Sequence, residues 1–361
     1  MGKTFVSLAI HNLRRDWFFM HLSDTLIKKD DVMIYENVGP TPLHIASLSG
    51  FSYDIIQRRI RESSTLPLPN SPKKNRKYPV SVFRDFLKDV FSSKHHIVKK
   101  VHSFYNFKGG VGKTSLAFQV SCHLSILGFN VLLIDTDPQA NLTNCFGLMP
   151  NLSTPTLYDI LIKGIPVDSS KVSIFPGLDF IQSNISLTRL ETELMHQTRK
   201  EEMLKDIIDP LYDKYDFIII DANPNINQIN RNVINASQVI NIVCETQPFS
   251  IMGLSLLYDD MNKFFVRMKK DLPAINIIPN KYEDRISTSA EAMHTLRTNF
   301  SPYMKPDFAV RKSEDFNISA KSALPLSFFC KKNSNAWEDS VDLIHHIIKI
   351  SEASELNEKV A

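Results

Sequence analysis

No apolar run in the chain approaches the roughly 18–20 residues that a membrane span requires, so no transmembrane helix is expected. The opening residues, Met-Gly-Lys-Thr-Phe-Val, hold neither a long apolar segment nor a small-residue cleavage site, and secretion is not expected. Position 6 is Val6 rather than Ser or Thr, so the Met1-Gly2 start does not complete a myristoylation signal. Cysteine is sparse: Cys122, Cys145, Cys244 and Cys330 are scattered, with no C-x-x-C spacing. Disulfides and zinc are therefore not expected, and the thiols read as core residues in a reducing cytosol. Repeats and low-complexity tracts are missing too. The composition is that of an ordinary globular protein, 43% hydrophobic and 22% charged, and 361 residues suggest about two domains.

The net charge of +3 hides an asymmetry. Residues 1–100 hold 17 Lys and Arg against 9 Asp and Glu, whereas the remainder holds 25 against 30. A basic front on an acidic body points to nucleic acid or another anion as a partner, or to a solvated basic surface.

The most informative stretch is Lys108-Gly-Gly-Val-Gly-Lys-Thr114, which follows a β-branched and aromatic run and opens an apolar-periodic segment. That is the strand–loop–helix setting of a phosphate-binding loop. Glycines at 109, 110 and 112 allow positive φ and close backbone approach, so peptide N–H groups can wrap phosphates. Lys113 is placed to reach the β/γ-phosphates and Thr114 to bind Mg²⁺, with the following helix pointing its positive end at the anion. The usual first glycine is absent, because position 107 is Phe107, and a second lysine, Lys108, precedes the paired glycines.

Downstream, strands and helices alternate in α/β style. Strands are expected at 101–107, 130–135, 178–182, 216–221, 238–244 and 274–279, several of them continuous apolar runs suited to burial on both faces. Over 113–127, Leu116, Val120, Leu124 and Leu127 recur at helical spacing and form the face expected to pack on the sheet. Ligands gather at the carboxyl ends of strands in such sheets, where Asp135, Asp137 and Asp221 fall. Asp216-Phe-Ile-Ile-Ile-Asp221 delivers an acid as a Walker-B strand does. Asp135 and Asp137, from Asp135-Thr-Asp-Pro-Gln-Ala-Asn141, are alternatives for the acid that orients water near the γ-phosphate.

Together these segments resemble the deviant Walker-A ATPases of the ParA/MinD/nitrogenase-reductase superfamily, and within it the ParA (SopA-like) partition ATPases. The resemblance spans about residues 101–350, including Ile278-Pro-Asn-Lys-Tyr-Glu-Asp-Arg285 and Val310-Arg-Lys-Ser-Glu-Asp-Phe-Asn-Ile318. It implies an α/β P-loop NTPase fold, a mostly parallel sheet flanked by helices, that uses ATP/ADP and Mg²⁺. It implies that Lys108, Gly109, Gly110, Val111, Gly112, Lys113, Thr114, Ser115 and Asn280 bind nucleotide, Asn280 reading adenine. Lys108 would cross a nucleotide-sandwich homodimer to the partner's phosphates, Lys113 would act in cis, and Asp137 would help place water. Thr114, Asp137 and Asp221 would serve the metal. The chain departs from the family's pattern at Ala222-Asn-Pro224, where Asn223 replaces a proline, and at Cys244-Glu-Thr-Gln-Pro248, where a proline usually comes earlier.

The front of the chain is read as a helical segment (1–38), a mainly α-helical winged helix-turn-helix domain (39–98) and then the ATPase domain (99–361). Thr41 and Pro42 suit a helix start, and Ala46 and Gly50 suit a tight crossing. Ser52 caps a second helix carrying Gln57, Arg58, Arg59 and Arg61, side chains able to read base edges or hold phosphates. Lys73, Lys74, Arg76 and Lys77 form a basic wing. Residues 5–27 show helical apolar spacing and suit either a dimerisation helix or one packed within the chain. Arg311, with Lys312, Lys331 and Lys332, falls where ParA proteins place residues for non-specific DNA. The resemblance thus implies a cytoplasmic, nucleoid-associated ATPase with a ParB-like partner, operator DNA and no membrane. The alternatives are a nucleotide-sensing repressor and a MinD-like positioning ATPase, the latter disfavoured by the acidic, polar end of the chain.

Overall fold

The structure is a computed structural model that describes Tyr35, residues 38–68, Ser71 and residues 76–352. The expected helix over 5–27, Lys73 and Lys74 lie outside the described residues. Eight strands form one sheet: β1 Val101–Tyr105, β2 Val131–Asp135, β3 Lys171–Phe175, β4 Leu178–Ile181, β5 Phe217–Asp221, β6 Val239–Glu245, β7 Ala274–Tyr282 and β8 Val310–Arg311. Their order is β3-β4-β2-β5-β1-β6-β7-β8, parallel throughout except for the β3–β4 pair.

All six expected strands form, within a few residues of their expected ends. Every residue of β1, β2 and β5 is buried, which is why these segments are apolar along their whole length. The two unanticipated strands lie at the sheet's edges. β3 is half-exposed and polar at alternate positions, and β8 has two residues, so neither carries the signal of a doubly covered strand.

One helical layer packs through Leu254, Leu257, Leu190 and Val233 on the face that presents Leu132, Ile134, Ile218 and Ile220. The opposite face carries the phosphate-loop helix Lys113–Ile126 and the C-terminal helix Asn335–Glu352. The apolar stripe expected on the phosphate-loop helix is only part of its buried surface. Phe118, Gln119, Cys122, His123 and Ser125 are buried as well. The helix is covered on both sides because the front of the chain lies against it.

That front holds three helices, Pro42–Ser49, Tyr53–Glu62 and Val80–Val90. Thr41 and Ser52 cap the first two as expected, and Gly50 (φ +72°) ends the first in the left-handed conformation. Among the described residues of 63–79 there is no strand, although Leu68 N–H donates to Lys77 O at 2.9 Å and Tyr78 N–H to Pro40 O at 3.2 Å. Ile45, Leu48, Ile56, Ile60, Phe83 and Leu87 share one apolar core with Phe118, Leu124 and Trp337. Arg84 crosses this junction: Nη1 donates to Ser125 O and Phe129 O, both at 2.8 Å, and Nη2 to Asn130 Oδ1 at 2.6 Å. A cationic side chain thus meets the carbonyl end of the helix whose other end faces the phosphate loop. Gly128 (φ +105°) permits the close crossing, since a Cβ there would stand 2.6 Å from the Lys88 backbone.

Candidate active site

The site forms where β1, β2 and β5 end side by side. Register pairs Asp135 with Asp221, and Asp221 with Phe104, so both strand-end acids meet the start of the phosphate loop. Gly110 (φ +74°) and Gly112 (φ +100°) adopt the conformations that only glycine takes readily, and the helix begins at Lys113. The loop borders a cavity of about 530 Å³ lined by Gly110, Lys113, Thr114, Asp137, Asn144 and Pro224, among others. Asn317 and Lys321, from the helix Glu314–Ser322, close another wall. No spacing rule assigns these two residues to the site, because they stand far from the loop in sequence and only the fold brings them to it.

Thr114 Oγ1 donates to Asp221 Oδ2 at 2.7 Å, while Asp221 Oδ1 is buried with no hydrogen-bond partner. An orphaned anionic oxygen beside a threonine hydroxyl is a donor set suited to Mg²⁺. Burial, then the neighbouring Asp135, pushes the Asp221 carboxyl up, a penalty that a bound cation would relieve. Among the described residues no group of three or more His, Cys, Asp or Glu could hold a metal. Lys113 is buried, and desolvation lowers its pKa against the raising effect of Asp221 and Asp137. Its Nζ reaches Lys108 O at 3.3 Å.

Of the two alternative acids, Asp137 lines the cavity, and Asp135 is buried beneath it. Asp135 accepts from Asp137 N–H at 3.0 Å, Thr143 N–H at 3.0 Å and Thr143 Oγ1 at 2.9 Å. Burial pushes its carboxyl up to about 7 despite those bonds.

Lys108 does not line the cavity. Its Nζ donates to Glu245 Oε2 at 2.9 Å and Ser250 Oγ at 3.2 Å. Glu245 Oε1 also lies 3.4 Å from Lys281 Nζ, which donates to Gly110 O at 2.7 Å. Asn280 buttresses the loop from below: Nδ2 donates to Val111 O at 2.6 Å, and a Cβ at Gly112 would stand 2.2 Å from that nitrogen. Phe107, in place of the usual glycine, packs 3.4 Å from where a Cβ on Gly253 would lie, against the helix Pro248–Met268. Asn223 is buried, its Nδ2 lies 3.4 Å from Thr136 O, and its carbonyl and side-chain oxygens accept from Asn230 Nδ2 at 2.9 Å.

Of the residues read as nucleic-acid contacts, none that the structure describes lines this cavity. Arg58, Arg59 and Arg61 are exposed on one helix, the first two beside Glu62 at 3.4 and 3.6 Å. Gln57 Nε2 donates to Tyr53 Oη at 2.8 Å. Arg76 is exposed and Lys77 half-buried. Arg311 is committed elsewhere: Nε and Nη2 hold Asp339 at 2.6–3.1 Å, and Nη2 also meets Glu338 at 3.2 Å. The Asp339 bonds raise its pKa, and they tie β8 to the C-terminal helix.

The family model described as an AAA domain matches residues 99–274. The cell division protein PomZ of Myxococcus xanthus is 29% identical over 248 residues, covering 68% of this chain and 76% of PomZ. The chromosome partitioning protein ParA of Caulobacter vibrioides is 29% identical over 204 residues, covering 56% of this chain and 76% of that protein. Among solved structures, a plasmid partition protein from Borrelia burgdorferi bound to AMPPNP superposes with a TM-score of 0.58. It is 25% identical, with 70% of this chain and 99% of that chain covered. With its phosphate loop, paired strand-end acids and second lysine, the chain belongs to the ParA-type family of P-loop ATPases.

Proposed function

We propose that this ParA-type ATPase binds ATP with Mg²⁺, closes as a homodimer on DNA, and hydrolyses ATP when a ParB-like partner stimulates it. The observation that carries the reading is the donor set formed by Thr114 and Lys113 on the cavity wall and the orphaned oxygen of Asp221, which is buried behind Thr114 and bonded to its hydroxyl. Mg²⁺ would supply charge neutralisation of the β- and γ-phosphates there. Lys113 binds the phosphates in cis, the loop N–H groups orient them, and Asp137 holds and orients the attacking water.

Lys108 supports the dimer. In the free subunit its charge is answered by Glu245, and a second copy's nucleotide offers a more strongly charged partner for the same ammonium group. The front unit at 39–98, with exposed Arg58, Arg59, Arg61 and Arg76 and half-buried Lys77, is assigned to operator DNA. The site of action is the nucleoid in the cytoplasm. A second reading, a repressor whose affinity follows the bound nucleotide, draws on Arg84, which ties that unit to the phosphate-loop helix.

The test is ATP turnover by the protein alone, with non-specific DNA, and with the ParB-like protein encoded beside it. Synergistic stimulation is expected. Turnover indifferent to both, with operator affinity that tracks nucleotide, would favour the repressor.

A further inference from the structure

Asp137 is the only carboxylate on the cavity wall among its described lining residues, and its backbone is held from two sides. Its N–H donates to Asp135 Oδ1 at 3.0 Å, and its carbonyl accepts from Ser183 Oγ at 2.5 Å. The two anchors are themselves joined. Thr143 Oγ1 donates to Asp135 Oδ2 at 2.9 Å and accepts from Ser183 N–H at 3.0 Å. The result is a closed ring of hydrogen bonds, Asp137–Asp135–Thr143–Ser183–Asp137. Asp135, Thr143 and Ser183 are buried.

We propose that Thr143 and Ser183 are positioning residues for Asp137, holding its carboxylate in the cavity through this ring. The inference rests on the ATPase reading above and adds to it the support that Asp137 requires. The topology explains how distant residues meet. β2 and β4 pair in parallel, so the segments that leave their carboxyl ends emerge side by side and bring Asp137 and Ser183 together. Thr143 stands on the short helix Asn141–Cys145, which follows directly from the Asp137 turn. That turn is closed by Ala140 N–H to Asp137 O at 2.8 Å, and Gln139 N–H donates to Asp137 Oδ1 at 2.9 Å. With N–H, carbonyl and Oδ1 all engaged, Oδ2 is the oxygen left to face a water in the cavity. The ring acts on orientation alone, because neither hydroxyl lines the cavity.

Orientation is worth a great deal in such a reaction, since a displacement of about 1 Å costs on the order of 100-fold in rate. Thr143 offers a clean pair of variants. Thr143→Val keeps the volume and removes the hydroxyl, whereas Thr143→Ser keeps the hydroxyl and removes a methyl group. Ser183→Ala cuts the ring on its other side.

The experiment measures kcat for MgATP in the presence of DNA, and ATP affinity by equilibrium binding, in the full chain. Thr143→Val and Ser183→Ala should lower kcat by about 10- to 100-fold with ATP affinity within about 3-fold of the parent, and Thr143→Ser should retain most of the rate. A parental kcat in both hydroxyl-free variants, alongside loss of turnover in Asp137→Asn, would overturn the positioning role and leave the site reading intact. Equal loss in Thr143→Val and Thr143→Ser, with Ser183→Ala unaffected, would mean that packing rather than the ring is being read, and would overturn it too. Parental turnover in Asp137→Asn would overturn the site reading and the proposal together.

Discussion

Arg84 offers the sharpest test of how the front of the chain and the nucleotide domain are joined. Arg84→Met keeps the aliphatic stem and removes three donors, those to Ser125 O, Phe129 O and Asn130 Oδ1. Ser125 O keeps a backbone donor in Gly128 N–H at 3.0 Å, so the main loss falls on Phe129 O and Asn130 Oδ1. A hydrogen bond from a charged group contributes about 1.5–3 kcal/mol, and the relief of burying the guanidinium offsets part of the total. A net destabilisation of about 3 kcal/mol follows. For 361 residues, an unfolding entropy of about 2.1 cal/mol/K per residue converts this into about 4 °C in Tm. Thermal melts followed by circular dichroism, with limited proteolysis, should show that drop together with earlier cleavage in residues 91–100. Gly177→Ala should reproduce part of the effect independently, because its Cβ would stand 2.1 Å from Arg84 Cζ. An Arg84→Met protein that melts within about 1 °C of the parent, with the same proteolytic pattern, would refute the account of this junction.

Lys113→Ala should abolish ATP binding, checked by titration calorimetry, since no other lysine amine in the described cavity wall follows the loop directly. Gly112→Ala should weaken ATP binding at least about 10-fold while the protein stays folded, because a side chain at φ +100° is strained and would collide with Asn280. Glu245→Gln should raise ATP-driven self-association about 2- to 5-fold in analytical ultracentrifugation, the worth of a half-exposed ion pair. Burial lowers His102 to about 3 and His123 to about 4, below the unfolded value of about 6.5. The stability carried by these neutral rings is therefore complete above about pH 6.5 and is lost as pH falls towards 4 and below, about 2 kcal/mol per ring by pH 5. An NMR titration should find both rings neutral at pH 5; a midpoint near 6.5 for either would contradict their burial.

Much of the nucleotide site was legible in the chain because its parts are local. A loop of glycines between a strand and a helix needs neighbours only within seven residues, and Lys113, Thr114 and the loop glycines border the cavity as that spacing requires. Asp221 was legible for a related reason, since an apolar run that ends in an acid places that acid at a strand's carboxyl end. The helix starts at Thr41 and Ser52 were equally local, each set by one capping side chain.

Side-chain commitments between distant elements were not legible. Spacing alone leaves Asp135 and Asp137 as alternatives; in the structure Asp135 is buried and bonded by Thr143, whereas Asp137 borders the cavity with its carbonyl held by Ser183. The ion pairs that Arg311 makes with Asp339 on the C-terminal helix and Lys108 makes with Glu245 at 2.9 Å join residues far apart in sequence, and no spacing announces them. By itself, the sequence determined that this is a P-loop protein with a mostly parallel sheet and a basic helical front, because backbone geometry and burial periodicity act over short spans. Only the tertiary structure decided that Asp137 rather than Asp135 borders the cavity, that Lys108 meets Glu245, and that the front shares one core with the phosphate-loop helix. Those outcomes depend on contacts between residues tens to hundreds of positions apart, and no local spacing encodes them.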